Sequence, residues 1–299
     1  MQRERVIDRD LHRVTEFSSI ADFLKVEEVP AGISTVQSGG LPIDLLVSPT
    51  ASRTTICFFH GAVEPHFTLP VLSGLGISGG IEANRVFISD PALVLDEQLM
   101  LAWYTGNKYQ PQLQHDLTRI LKKIVEGLGS DKVVFFGGSG GGFASLFFAS
   151  QFQDSRALVF NPQTNIAKYS ERAVRDFAES AFGVTPGVRN PLRQLPGHIV
   201  SNLCDLYSKP TTTRVAYIQN LNDKAHTHSH LMPFVAALHP DTEVLLLARR
   251  WREGHSPPPK ELLSRVLNLA ASSEEWSRAF SRFGFRKAIS TELEGLFRT

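Results

Sequence analysis

The stretch DKVVFFGGSGGGFASLFFAS runs from Asp131 to Ser150. Its centre, GGSGGG, has the composition of a flexible linker. Its flanks do not. Val133, Val134, Phe135 and Phe136 precede it, β-branched and aromatic residues that suit a strand buried on both faces. Phe143, Leu146, Phe147 and Phe148 follow it, the pattern of a buried helix starting by Gly141 or Gly142. Strand, glycine-rich turn and helix are the setting of G-x-S-x-G, here Gly137-Gly138-Ser139-Gly140-Gly141. In that turn the serine is held in a strained conformation and its neighbours must lack side chains. A phosphate-binding P-loop is excluded because no lysine follows the glycines. A dinucleotide fingerprint belongs on the first strand of its unit, whereas this turn falls mid-chain.

A serine so placed needs a histidine base, an acid to orient it, and donors for an oxyanion. In this turn's usual setting the serine comes first, then the acid, then the histidine. Asp223 lies just past the strand-like run RVAYIQN, and His255 lies in the loop RRWREGHSPPP after EVLLLA, leaving room for a helix and a strand between them. Upstream, TTICFFHGA ends in His60-Gly61-Ala62, where the N–H of Ala62 or Gly61 is expected to join that of Gly140 in an oxyanion hole. All these positions fall at carboxyl ends of expected strands, where open α/β sheets place their sites. Each has a plainer alternative: Asp223 as a turn residue beside Asn220 and Asn222, His255 as an exposed loop histidine, His60 as a buried strand-end histidine. Their joint occurrence in order favours a triad of Ser139, His255 and Asp223, with Asp90 as the reserve acid.

The rest of the chain supplies the frame. Short apolar runs at 41–48, 54–60, 85–90, 132–137, 157–162, 214–220 and 243–248 read as strands, and FLKVEEVPAG as an added edge strand. Between them, Leu113, Leu117, Ile120, Leu121, Ile124, Val125 and Leu128 form a helical stripe, and 260–271 forms another helix after the prolines. The alternation predicts an α/β fold with a mostly parallel central sheet and helices on both faces. One domain over 1–299 is expected, with a helical cap insertion at 163–209 and a C-terminal helical segment at 272–299. The net charge of +1 gives no reason to expect nucleic acid, and no apolar run is long enough for a membrane span. Two cysteines without a framework and a charged, signal-free N-terminus predict a cytoplasmic protein.

The HGA turn at His60–Ala62, GGSGG at Gly137–Gly141, Asp223 after its strand and GHSPP at Gly254–Pro258 together resemble the α/β-hydrolase superfamily, over roughly residues 40–270. The runs LAWYTGN, GGSGGGFASL and NPQTNI are similar to hydrolase-like proteins of bacterial capsule or surface-glycan biosynthesis. The resemblance implies a serine hydrolase acting on an ester or similar acyl bond without a cofactor. It also leaves open an acyltransferase or deacetylase acting on a glycan, and association with a biosynthetic complex. This sequence departs from the common pattern in having glycine, not a larger residue, before Ser139.

Several polar and aromatic residues are expected near the same sheet end as substrate-binding groups. They are His60, Asn161 and Gln163, the pair Trp103 and Tyr104 as a sugar-stacking platform, and His226 lining the pocket; the plainer alternatives are core aromatics for Trp103 and Tyr104 and a turn before Pro162 for Asn161. Two other readings compete. AHTHSH sets His226, His228 and His230 at alternate positions near Asp223, a possible zinc site. Alternate spacing puts ligands on one side only in a strand, and this segment leads into a helical run, so no metal is expected. The other is a hydrolase fold kept as a non-catalytic scaffold, against which all three triad residue types are retained.

Overall fold

A computed structural model describes residues 1–293. Ten strands form one sheet. They are β1 (Val14–Phe17), β2 (Gly32–Ser38), β3 (Leu41–Ser48), β4 (Thr54–Phe59), β5 (Asn84–Ile88), β6 (Lys132–Gly138), β7 (Arg156–Phe160), β8 (Arg214–Asn220), β9 (Val244–Arg249) and β10 (Arg286–Lys287). Their order is β1-β2-β3-β5-β4-β6-β7-β8-β9-β10. The run from β5 through β9 is parallel, while β3 pairs antiparallel with both β2 and β5.

The apolar strands alternate their side chains between two cores. Val133 and Phe135 of β6 enter one; Val134 and Phe136 enter the other. The first core is covered by the helices Leu113–Gly127 and Ser139–Ala149, the second by Lys260–Ser272 and Trp276–Phe283. Each buried Phe contributes about 2–3 kcal/mol of transfer free energy. A central strand such as β6 therefore anchors whatever follows its carboxyl end.

Three sequence expectations are corrected. FLKVEEVPAG adds no strand: Ile20–Lys25 is a short helix capped by Ser19, whose Oγ accepts from Asp22 N at 3.1 Å. The edge strand is β1 instead. The elbow helix begins at Ser139 itself, ahead of the expected Gly141. Finally, the C-terminal segment is not wholly helical, since Arg286–Lys287 pairs antiparallel with β9; its last residues, 294–299, lie outside the described residues. The insertion between β7 and β8 carries the helix Glu171–Phe182 and the short helix Leu203–Tyr207, with short 3-10 turns between loops. Among the described residues, no helix is long and apolar enough to cross a membrane.

Candidate active site

Ser139 stands at the junction of β6 and its helix with φ of +53°. A non-glycine residue in this region is strained, and the surroundings must enforce it. They do so through absent side chains. A Cβ on Gly141 would lie 2.3 Å from Phe59 O and 2.7 Å from His60 O; one on Gly137 would lie 2.3 Å from Gly141 O. The elbow is thus packed backbone to backbone against the end of β4. Gln163 holds the serine twice: its N–H donates to Ser139 O at 3.1 Å and its Nε2 to Ser139 Oγ at 3.0 Å. Trp103 Nε1 in turn donates to Gln163 Oε1, which fixes the amide's orientation.

Asp223 follows β8 and His255 follows β9. The two meet: His255 Nδ1 lies 2.6 Å from Asp223 Oδ2. A carboxylate only accepts, so His255 carries its hydrogen on Nδ1 and Nε2 is its basic nitrogen. Burial alone would raise the Asp223 carboxyl, but hydrogen bonds from His226 and His255 overcome this and hold it well below the usual carboxylate range. The His255 loop hangs from two asparagines. Asn161 Nδ2 donates to Ser256 O at 2.8 Å, and Asn220 Nδ2 to Arg252 O at 2.7 Å and Gly254 O at 3.1 Å. Ser139 and His255 border one cavity of about 270 Å³, together with Gly61, Ala62 and Tyr169. Among the described residues, no hydrogen bond joins Ser139 Oγ to His255.

The loop expected to supply the oxyanion donors is held by the His60 ring. The His60 ring is buried, with Nδ1 at 2.8 Å from Gly61 O and Nε2 accepting from Asp90 N at 3.0 Å. Both nitrogens are occupied by backbone, so His60 has none left for a substrate, which corrects the substrate-binding expectation. Burial pushes its pKa down to about 4, and the ring is neutral. Its bond to Gly61 O fixes the Gly61–Ala62 peptide. In a trans peptide the N–H points opposite the C=O, so the Ala62 N–H is turned away from the His60 ring. Among the described residues, no protein acceptor takes that N–H.

Trp103 and Tyr104 are also corrected. Both are fully buried, and no face is open to a sugar. They occupy left-handed backbone positions, φ +54° and +56°. Asp90 holds this turn by accepting from Tyr104 N at 2.7 Å, and Tyr104 Oη accepts from His60 N at 2.9 Å. Asp90 is thereby a backbone clamp, not a reserve acid for His255. Asn161 is buried and bonded at both ends of its amide, its Oδ1 accepting from Asn220 N at 2.7 Å. Its side chain supports the histidine loop rather than reaching for a ligand.

Solved structures place this architecture. The capsule O-acetyltransferase of Neisseria meningitidis serogroup A matches with a TM-score of 0.55 at 13% identity, over 76% of this chain and 92% of its own. The Pyrococcus horikoshii acylaminoacyl peptidase matches at 0.56 and 16% identity, over 86% of this chain and 45% of its own. A chain of the glycosylation-associated Gap123 complex from Streptococcus agalactiae matches at 0.56 and 14%, over 79% of this chain and 46% of its own. The fold is that of an α/β-hydrolase. By sequence, no protein family matches and no curated protein matches.

Within this α/β-hydrolase fold, two features escaped the sequence reading. Tyr169 borders the serine cavity and also a second cavity of about 470 Å³ in the insertion, beside Arg175, Arg189 and Arg193. Nothing local in the sequence marks it. The other is the place of His226: expected to line the pocket, it is buried behind His255 instead, its Nδ1 3.1 Å from Asp223 Oδ1 and its ring stacked on His255 with centroids 3.9 Å apart at 14°. Asp223, His226 and His255 offer ligand atoms within 4.8 Å of one another. A metal lies in the plane of each imidazole that binds it, and two rings stacked face to face do not converge on one ion. The spaced trio of the sequence reading is not assembled: His228 is exposed and its Nδ1 lies 2.7 Å from Lys224 O.

Proposed function

We propose that the protein cleaves an ester or related acyl bond through a covalent acyl-enzyme on Ser139. The observation that carries this is a serine at positive φ on a strand–helix elbow, sharing a cavity with a histidine anchored to a buried aspartate. Because Ser139 Oγ accepts from Gln163, its own hydrogen is free for His255 Nε2. His255 takes that proton as Oγ attacks the carbonyl, and Asp223 stabilises the imidazolium. The N–H of Gly140, in the first turn of its helix, and that of Ala62 or Gly61 would receive the oxyanion, each worth about 3 kcal/mol in the transition state. His255 then returns the proton to the leaving group, and water releases the acyl group.

A fluorophosphonate probe tests this directly. Wild-type protein should label, Ser139→Ala and His255→Ala should not, and Asp223→Asn should label on the order of 10⁴-fold more slowly. Chelators should leave labelling unchanged. Folded wild-type protein that takes no label would sink the proposal in favour of a non-catalytic scaffold.

Acyl transfer to a sugar hydroxyl, or removal of an acyl group from one, is the second reading. It is favoured by the match over 92% of a capsule O-acetyltransferase. Acetylated product that appears only when an acceptor glycan is added would decide for transfer. Association with a biosynthetic assembly and a cytoplasmic location belong to the same proposal, supported by the Gap123 likeness and by the free thiols of Cys57 and Cys204.

A further inference from the structure

We propose that His226 is a positioning residue for His255: it lies flat against that imidazole, shares its carboxylate, and stays neutral so that the reaction's proton goes to His255 alone. The inference rests on the acyl-transfer reading above for its purpose, and on geometry for its content. Asp223 Oδ1 accepts from the His226 backbone N and lies 3.1 Å from His226 Nδ1; Oδ2 lies 2.6 Å from His255 Nδ1. One carboxylate therefore fixes both rings in the same tautomer, each with its hydrogen on Nδ1.

The two rings differ in everything else. The His255 side chain is 38% exposed and sits in a loop, while that of His226 is 5% exposed. The buried ring is the fixed surface against which the exposed one is held at 3.9 Å. Two cations that close repel by about 4 kcal/mol at an effective dielectric of 20, so the pair accommodates one proton. His226 Nε2 is buried and has no partner. A proton there would add a buried N–H without an acceptor, at a cost of about 1–3 kcal/mol. His255 borders the open cavity and bears no such penalty.

No neighbouring group reverses this order. His230, 5.0 Å from His226 between ring centroids, is held neutral by burial and uses Nδ1 to accept from Thr164 N. Tyr169 meets His226 edge-on at 5.8 Å, and Tyr217 is buried within the field of Asp223; burial raises both phenols, which stay uncharged. Lys224 on the same turn, and Arg252 and Glu253 in the His255 loop, are exposed and screened by solvent. The His226 donor also draws on Asp223's charge, in competition with His255.

Two variants separate the roles. His226→Phe keeps a flat ring and removes the donor; His226→Ala removes both. Histidine ring NMR across pH 5.5–8.5 should show the His226 resonance of wild-type protein unmoved. The plateau rate of fluorophosphonate labelling should fall tenfold or more in His226→Ala, and less in His226→Phe. The inference is overturned if His226 of wild-type protein titrates in that range, or if labelling falls as far in His226→Phe as in His226→Ala. If the phenylalanine variant does not fold, the wild-type titration and His226→Ala decide. Wild-type protein that never labels refutes the acyl-transfer reading, and the NMR titration still judges the pairing of the rings.

Discussion

Single residues here earn their positions through contacts far apart in sequence, and His60 and Asp90 make this measurable. His60 is neutral in the folded protein down to about pH 4, whereas an unfolded histidine takes its proton near pH 6.5. Between those values the unfolded chain binds more protons, so this group's contribution falls as pH drops. Asp90 acts with the opposite sign. Burial raises its carboxyl to about 6, so the folded state holds the extra proton and gains stability as pH falls from there. The two oppose one another in the folded protein. Asp90→Asn should leave His60 unopposed, and urea unfolding should show about 1 kcal/mol more loss between pH 7 and pH 5 than in wild type. An unchanged pH slope would refute this assignment. The sequence disclosed these residue types at the right sheet end because strand-end position is a local property. It did not disclose that both nitrogens of His60 are occupied, or that Trp103, Tyr104 and Asn161 face inward. Those facts depend on Asp90, Gln163 and Ser256, whose proximity only the fold creates.

The elbow is the element whose composition raised the first question, and its glycines answer it one contact at a time. Gly141 faces carbonyl oxygens of Phe59 and His60, which cannot rotate away, while Gly138 faces the ring of Phe160. Gly141→Ala should therefore destabilise by about 1–3 kcal/mol in urea unfolding. Gly76 is the control: its φ is not positive, nothing lies within 4 Å of its added Cβ, and Gly76→Ala should be neutral or stabilise by up to about 1 kcal/mol. Equal changes at both sites would show that close approach to the β4 carbonyls does not govern the elbow. Most other elements were legible from their periodicity. The short helix at Ile20–Lys25 was misread because Phe23 and Leu24 followed by Val26 look like the start of a strand, and its Ser19 cap is a weaker signal. The two-residue β10 carries too little pattern to be seen at all.

Across the whole molecule, the second core closes at the C-terminal end. Trp276 is 2% exposed, packs on Phe280 with centroids 4.1 Å apart, and lies under the Arg156 guanidinium at 5.3 Å. Trp276→Ala should cost about 3–5 kcal/mol in global stability while leaving the elbow's contacts intact. A Tm shift without loss of labelling at low temperature is the expected result, and a labelling loss in folded protein would contradict it. The helix that starts at Ser139 has a related property of its own. From Gly140 to Ala149 every residue is buried, so the segment has no solvent-facing side. A helix of this length, rich in glycine, does not persist in water alone. It exists only where sheet and covering helices already surround it. If Ser139 is the nucleophile proposed above, its labelling during refolding should accordingly emerge only once the sheet and covering helices are assembled, so that probe uptake reports completed folding in time, not merely occupancy of a site.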